Sequence, residues 1–231
     1  MYQIQAGPQN IVPLMKQGLI MDFITSLLRQ RAEQGDAESQ NDLGTAYYTG
    51  QGVEQDFSES VRWWSRAAAS GLAGAQFNMA LAYYSGLGVR QDYREAVKWN
   101  RLAAEQGLAG AEHNLGDAYY KGEGVEQDYT EAVKWYRKAA SQGIPAAQYS
   151  LGLAFANGTG VRQDYSEAAA WYRRAAEQGD ADAQFNLGGL YARGLGVSLD
   201  YREAARWWLM AAAQGDMQAQ NNLRLLYQRL R

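Results

Sequence analysis

The chain carries one histidine, His113, with an aspartate one helical turn later at Asp117. A carboxylate at that spacing can orient an imidazole for general acid–base work. Hydrolysis or metal binding needs more, either a nucleophile or further ligands, and neither follows from the residues around His113. No Ser-x-x-Lys or His-Glu-x-x-His segment occurs, and cysteine is absent. Its absence removes disulfides, thiolate metal sites and cysteine nucleophiles together. His113 therefore reads as a groove-lining side chain without chemistry. No catalytic activity, metal or cofactor is expected.

Glycine-rich turns are the second chemical candidate, because such turns can cradle phosphates. Gly-x-Gly stands at Gly50/Gly52, Gly86/Gly88, Gly122/Gly124, Gly158/Gly160 and Gly194/Gly196. A phosphate loop follows a strand and opens a helix whose amides face the ligand. Here each loop follows a helical pattern, and an aspartate already stands at the start of the next helix. These glycines read as turn formers.

The third candidate is recognition rather than reaction. Tyr48, Phe77, Tyr84, Tyr120, Tyr149 and Phe185, with Asn78, Asn114, Asn186 and Asn222, recur at related positions. The elements that position them repeat every 36 residues. Trp63, Trp99, Trp135, Trp171 and Trp207 keep that period, as do Asp56, Asp92, Asp128, Asp164 and Asp200. Leu43, Met79, Leu115, Leu151, Leu187 and Leu223 keep it too. Self-similarity of this kind marks an array of stacked units.

One unit reads as two helices. Helix A, Ala109 to Lys121, has Ala111, Leu115, Ala118 and Tyr119 on one apolar stripe. Gly116 lies on that stripe, where a missing side chain admits the neighbouring helix, and Gly122 supplies a left-handed C-cap. Asp128 caps helix B, and Glu131 can complete a capping box. Helix B carries Tyr129, Ala132, Val133, Tyr136 and Ala140 on one face, with Trp135 and Ala139 beside them, and Gly143 ends it. Tyr47, Tyr83, Tyr119 and Tyr191 are assigned to the core.

If helix A faces inward, positions −5, −2, −1, +2 and +5 from the buried Leu turn outward. Phe77, Tyr84, Tyr120, Tyr149 and Phe185 would then form an aromatic stripe, with Tyr48 at +5 of the first unit. Aromatic clusters are common interface anchors. The competing expectation is that some of these rings pack on helix B of the next repeat. Asn78, Asn114, Asn186 and Asn222 share the −1 position. An asparagine ladder can grip a peptide backbone or bond within its own turn, and the sequence supports both equally. Arg62, Lys98, Lys134 and Arg206 fall on the solvated outer face of helix B.

The pattern Ala-x-Ala-Gln-x-x-Leu-Gly-x-x-Tyr, then Gly-x-Gly-Val-x-Gln-Asp-Tyr-x-Glu-Ala-x-x-Trp-Tyr-x-x-Ala-Ala-x-Gln-Gly, resembles the Sel1-like repeat. That family is related to the tetratricopeptide repeat. The match runs from about residue 32 to residue 231. The resemblance implies an all-α fold, a right-handed α-solenoid superhelix with helix A on the concave face. It also implies a role as an adaptor or scaffold that binds a partner protein or peptide there. Tetratricopeptide relatives that clamp a C-terminal carboxylate set Lys or Arg beside such asparagines. The neighbours here are aromatic or apolar, so no such clamp is expected. A cysteine-rich bacterial branch of the family is a poor guide to a chain without cysteine.

The expected organisation is an N-terminal extension and capping helix over 1–34, then a repeat solenoid over 35–231. The solenoid would hold five full repeats and a C-terminal capping helix made polar by Arg224, Gln228, Arg229 and Arg231. Asp22 to Gln34 reads as a lone helix B, while the apolar run from Ile11 to Met21 reads as a folded-back cap. That run is also a candidate surface for a partner or for dimerisation. Met1 to Ile20 shows neither a signal peptide nor a membrane span. The chain as it stands thus reads as cytoplasmic, or periplasmic if a signal has been removed.

With 22 basic against 25 acidic residues the net charge is −3, so neither nucleic acid nor membrane insertion is expected. Three functions remain: a binding module, a bacterial immunity protein that neutralises a secreted effector enzyme, and, remotely, a hydrolase. The second rests on the family resemblance. The third would need turnover that His113→Ala abolishes.

Overall fold

The computed structural model describes residues 24–229. Regular structure among them is helical throughout. α1 covers residues 24–33, followed by α2 (Ala37–Thr49), α3 (Phe57–Ala69), α4 (Ala73–Ser85) and α5 (Tyr93–Glu105). These belong to a compact unit ending at Gln106. A second unit begins at Gly107 and holds α6 (Ala109–Lys121), α7 (Tyr129–Ser141), α8 (Pro145–Asn157) and α9 (Tyr165–Glu177). It continues through α10 (Ala181–Arg193), α11 (Tyr201–Ala213) and α12 (Met217–Arg229). Even-numbered helices are A helices and odd-numbered ones B helices. The expectations for Met1 to Phe23 and for Arg231 lie outside the described residues.

Local chemistry sets the helix ends. Gly50, Gly86, Gly122, Gly158 and Gly194 close the A helices in the left-handed conformation, with φ from 64° to 75°. The second glycine of each loop meets a different demand. A Cβ at Gly88, Gly160 or Gly196 would collide with the backbone of Phe57, Tyr129 or Tyr165. These three loops thus rest on the start of the preceding repeat's B helix, and only glycine allows that approach.

Asp56, Asp92, Asp128, Asp164 and Asp200 cap the B helices by accepting from two first-turn amides. The expected capping box does not form. The amide that the glutamate would have to reach is occupied, because each capping aspartate donates its N–H to a helix-A carbonyl, as Asp128 does to Tyr119 at 3.0 Å. The glutamates turn outward instead and pair with Arg62, Lys98, Lys134 and Arg206 three residues on. Those cations lie on the solvated face as expected.

Between repeats a glutamine clamp recurs. Gln142 donates to the Gly107 carbonyl at 3.0 Å and to Glu112 at 2.8 Å. Gln106, Gln178 and Gln214 do the same with Gly71/Gln76, Gly143/Gln148 and Gly179/Gln184. Gln148 and Gln184 in turn donate to the carbonyls of Ala140 and Ala176 at the end of the preceding B helix. Buried amides satisfied on both sides fix the stacking of one repeat on the next.

Two core assignments need correction. Tyr47, Tyr83, Tyr119 and Tyr191 are half-buried rather than buried, because their hydroxyls need polar partners. Arg29 donates to Tyr47 at 2.6 Å, and Arg173 donates to Tyr191. Only Phe155, which has no hydroxyl, is buried at this position, beneath Arg137. The helix α12 is also less polar than expected. Arg224, Gln228 and Arg229 are exposed, but so are Met217 (72%), Leu225 and Tyr227.

Candidate functional site

The A-helix positions proposed for recognition hang on a constant frame. Leu43, Met79, Leu115, Leu151, Leu187 and Leu223 are all buried, and the next residue faces a large side chain on the B helix. Gly44 lies under Trp64, Gly116 under Tyr136, Gly152 under Tyr172 and Gly188 under Trp208. In the second repeat that residue is Ala80, and Asn100 replaces the large ring. These B-helix rings form the floor beneath the variable A-helix residues.

Of the ten candidates, only Tyr84 is exposed, at 43%. Tyr48, Phe77, Asn78, His113, Asn114, Tyr120, Tyr149, Phe185 and Asn186 are half-buried. The rings pair with helix B of their own repeat, whereas packing on the next repeat was the competing expectation. Tyr48 lies 5.4 Å from Phe57 and 5.3 Å from Trp64, Tyr84 5.2 Å from Tyr93, and Tyr120 5.2 Å from Tyr129. Tyr149 lies 5.9 Å from Tyr172. Each of the first four repeats thereby presents an aromatic pair. Phe185 packs against the cluster of Trp208 and Leu226.

Two of the asparagines are engaged by the scaffold. Asn78 donates to Asn41 on the neighbouring A helix at 2.9 Å. Asn186 donates to the Asp182 carbonyl of its own turn at 2.9 Å. That bond leaves the amide oxygen of Asn186 available.

His113 and Asp117 approach to 3.7 Å, beyond hydrogen-bond distance. Asp117 instead accepts a 2.7 Å bond from the Tyr136 hydroxyl. Burial, with the Asp117 charge second, holds the Tyr136 phenol well above its ordinary value. Burial likewise raises Tyr172 and Tyr149. A tyrosine kept neutral and bonded to the aspartate leaves the carboxylate poorly placed to orient His113. Among the described residues, no group of three or more His, Cys, Asp or Glu could hold a metal, and no helix is long and apolar enough to cross a membrane.

Sequence reasoning missed Arg193 and Arg229. They sit six residues after the buried Leu, one position beyond the last one considered. With Asn186, Asn222, Phe185 and Trp208 they line a groove of about 470 Å³ between α10 and α12. The expectation that no basic residue stands beside the asparagines fails there. The cations stand seven residues after the asparagines, about two helical turns on, rather than at adjacent positions.

Alternating A and B helices at a fixed period, with varied side chains on one face, define a helical repeat protein. The chain belongs to the Sel1 repeat family, whose repeat matches residues 37–72, 73–108, 109–144, 145–180 and 181–216. Sel1 repeats typically mediate protein–protein interaction, and the family is generally non-catalytic.

Among solved structures, the chain is similar to a protective antigen of uropathogenic Escherichia coli strains, at 41% identity and a TM-score of 0.86. That likeness covers 88% of this chain and 44% of the antigen, so this chain spans less than half of its length. A Sel1 repeat protein from Oxalobacter formigenes is 38% identical, with a TM-score of 0.76 over 82% of this chain and 76% of that one. An immunity protein from Pseudomonas aeruginosa, 18% identical with a TM-score of 0.51, covers 92% of this chain and 84% of its own, and shares the fold alone. Comparison with curated proteins gives no match.

Proposed function

We propose that the chain is an interaction module that holds a partner protein or peptide on the A-helix face of its repeats, without catalysis. One observation carries this reading: side chains change on a frame that does not. Position −2 is Asn41, Phe77, His113, Tyr149 and Phe185 in successive repeats, all half-exposed, while the Leu or Met two residues later stays buried. Packing explains the constant set. The changing set faces outward, where residues are free to vary and to recognise a partner.

The test is affinity capture from native lysate with two charge-altered variants. Thr45→Arg, Tyr84→Glu and Lys121→Glu alter exposed A-helix positions. Lys98→Glu, Lys134→Glu and Arg206→Glu alter the outer face of the B helices. A partner lost with the first set and kept with the second supports the reading, and the reverse overturns it. A secreted effector enzyme as that partner would make the chain an immunity protein. Any other protein would make it an adaptor.

A further inference from the structure

We infer that the groove between α10 and α12 binds an extended peptide carrying a carboxylate beside an apolar side chain. This deepens the proposed function and rests on it, since the groove is one stretch of the A-helix face.

Its floor is apolar, made by Phe185, Trp208 and Leu226. The Trp208 indole N–H is taken by the Phe185 carbonyl at 3.1 Å, so the floor offers a ligand surface rather than donors. Gly189 stands where other repeats carry Thr45, Leu81, Asp117 or Leu153, and the missing side chain deepens the groove. The Arg193 side chain folds back over it, with Nε on the Gly189 carbonyl at 3.0 Å. At about 470 Å³ the groove falls in the size range of ligand sites, roughly 300–1,000 Å³.

Charge selects the occupant. Across the B helices the cations at one position, Arg62, Lys98, Lys134 and Arg206, pair with a glutamate. Arg193 and Arg229 are exposed and have no carboxylate partner among the described residues. Arg229 lies over the Tyr201 ring at 5.4 Å, which steadies the side chain and leaves its guanidinium N–H donors without a hydrogen-bond partner among the described residues. No acidic residue lines the groove. In a chain of net charge −3, two guanidiniums in one cavity without a carboxylate partner among the described residues mark a local site for an anion. Planar guanidinium donors suit a carboxylate.

Asn186 and Asn222 identify the rest of the ligand. They stand 36 residues apart on adjacent A helices, as Arg193 and Arg229 do. The Asn222 amide has no hydrogen-bond partner among the described residues, and Asn186 keeps its oxygen available. An amide pair above an apolar floor matches the donors and acceptors of a peptide backbone. A polyphosphate or nucleic acid would need a longer cationic run.

The test is a nitrogen-15 NMR titration of the whole chain with acetyl-Gly-Leu-Asp-Leu bearing a free carboxyl terminus. Shifts are expected at the Asn222 side-chain amide and the Arg193 and Arg229 Nε–H groups. Removing both carboxylates, by Asn for Asp and a terminal amide, should weaken binding by roughly tenfold or more. Loss on amidation alone assigns the terminal carboxylate, and loss on the Asn replacement alone assigns the side-chain one. Arg193→Glu with Arg229→Glu, at exposed positions, should abolish the shifts and leave the circular dichroism unchanged. Several results overturn the inference: equal binding of the neutral peptide, no shift at millimolar peptide, or inorganic phosphate outcompeting the peptide. If the double variant still captures the lysate partner that Tyr84→Glu loses, this groove fails as a site while the proposed function stands.

Discussion

Gly116 and Tyr136 touch so closely that a Cβ on the glycine would lie 2.6 Å from the ring. The contact joins the A and B helices of one repeat and sets the height of the floor under the variable A-helix residues. The same pairing is met by Gly44/Trp64, Gly152/Tyr172 and Gly188/Trp208, and it changes on both sides at once in Ala80/Asn100. A methyl group on the A helix and a large ring on the B helix exclude each other.

That exclusion is measurable as coupling. Gly116→Ala is expected to cost about 1–3 kcal/mol by overpacking. In a Tyr136→Asn background, which copies the second repeat, the same change should cost far less. A double-mutant cycle from urea midpoints gives the interaction term directly. Additive effects would mean that the ring moves aside freely.

Trp135 is 7% exposed, with the Lys138 ammonium 3.9 Å from its ring centre. Trp135→Ala should cost about 3–5 kcal/mol, the range for truncating a buried large aromatic. A neutral result in chemical denaturation would show that this face of the B helix does not carry the core.

Glu112 takes the place that Gln40, Gln76, Gln148 and Gln184 hold in the other repeats, and it is 4% exposed. It accepts from Gln142 as Gln76, Gln148 and Gln184 accept from Gln106, Gln178 and Gln214, but a carboxyl group has no N–H to give to a carbonyl. Glu112→Gln restores that donor. It should stabilise the chain by about 1–2 kcal/mol at neutral pH, read from the urea midpoint.

Much of this frame is legible from residue types alone. The caps, the loops, the buried Leu and Trp ladders and the small residue under the B-helix ring all follow from a fixed period. Side-chain hydrogen bonding is less legible. Glu131 could have closed a capping box had the Asp128 amide not been taken by Tyr119. Asn186 could have faced solvent wholly had it not donated to the Asp182 carbonyl of its own turn. Arg193 lies one residue past the last outward position, and helix-face geometry does not say how far a long side chain folds back.

The raised phenols of Tyr136 and Tyr172 make stability fall at alkaline pH. Their ordinary value is about 10, and the folded chain holds both above it. Below about pH 10 their contribution is complete. As pH rises further the unfolded chain ionises first, and that contribution is lost through the folded values. Denaturation midpoints of the wild type should drop as pH rises from about pH 10 to about pH 12, and those of Tyr136→Phe with Tyr172→Phe should drop less steeply. Parallel curves would contradict the burial assigned to these rings.

The central claim, that the A-helix face holds the partner, is tested most directly by photo-crosslinking in native lysate. A photoreactive amino acid replaces Tyr84 or Lys121 on that face, and Lys98 or Lys134 on the outer face of the B helices. Adducts of one discrete mass from Tyr84 and Lys121, and none from Lys98 and Lys134, are the expected result. Adducts confined to Lys98 and Lys134 would contradict the account and move the partner to the outer face.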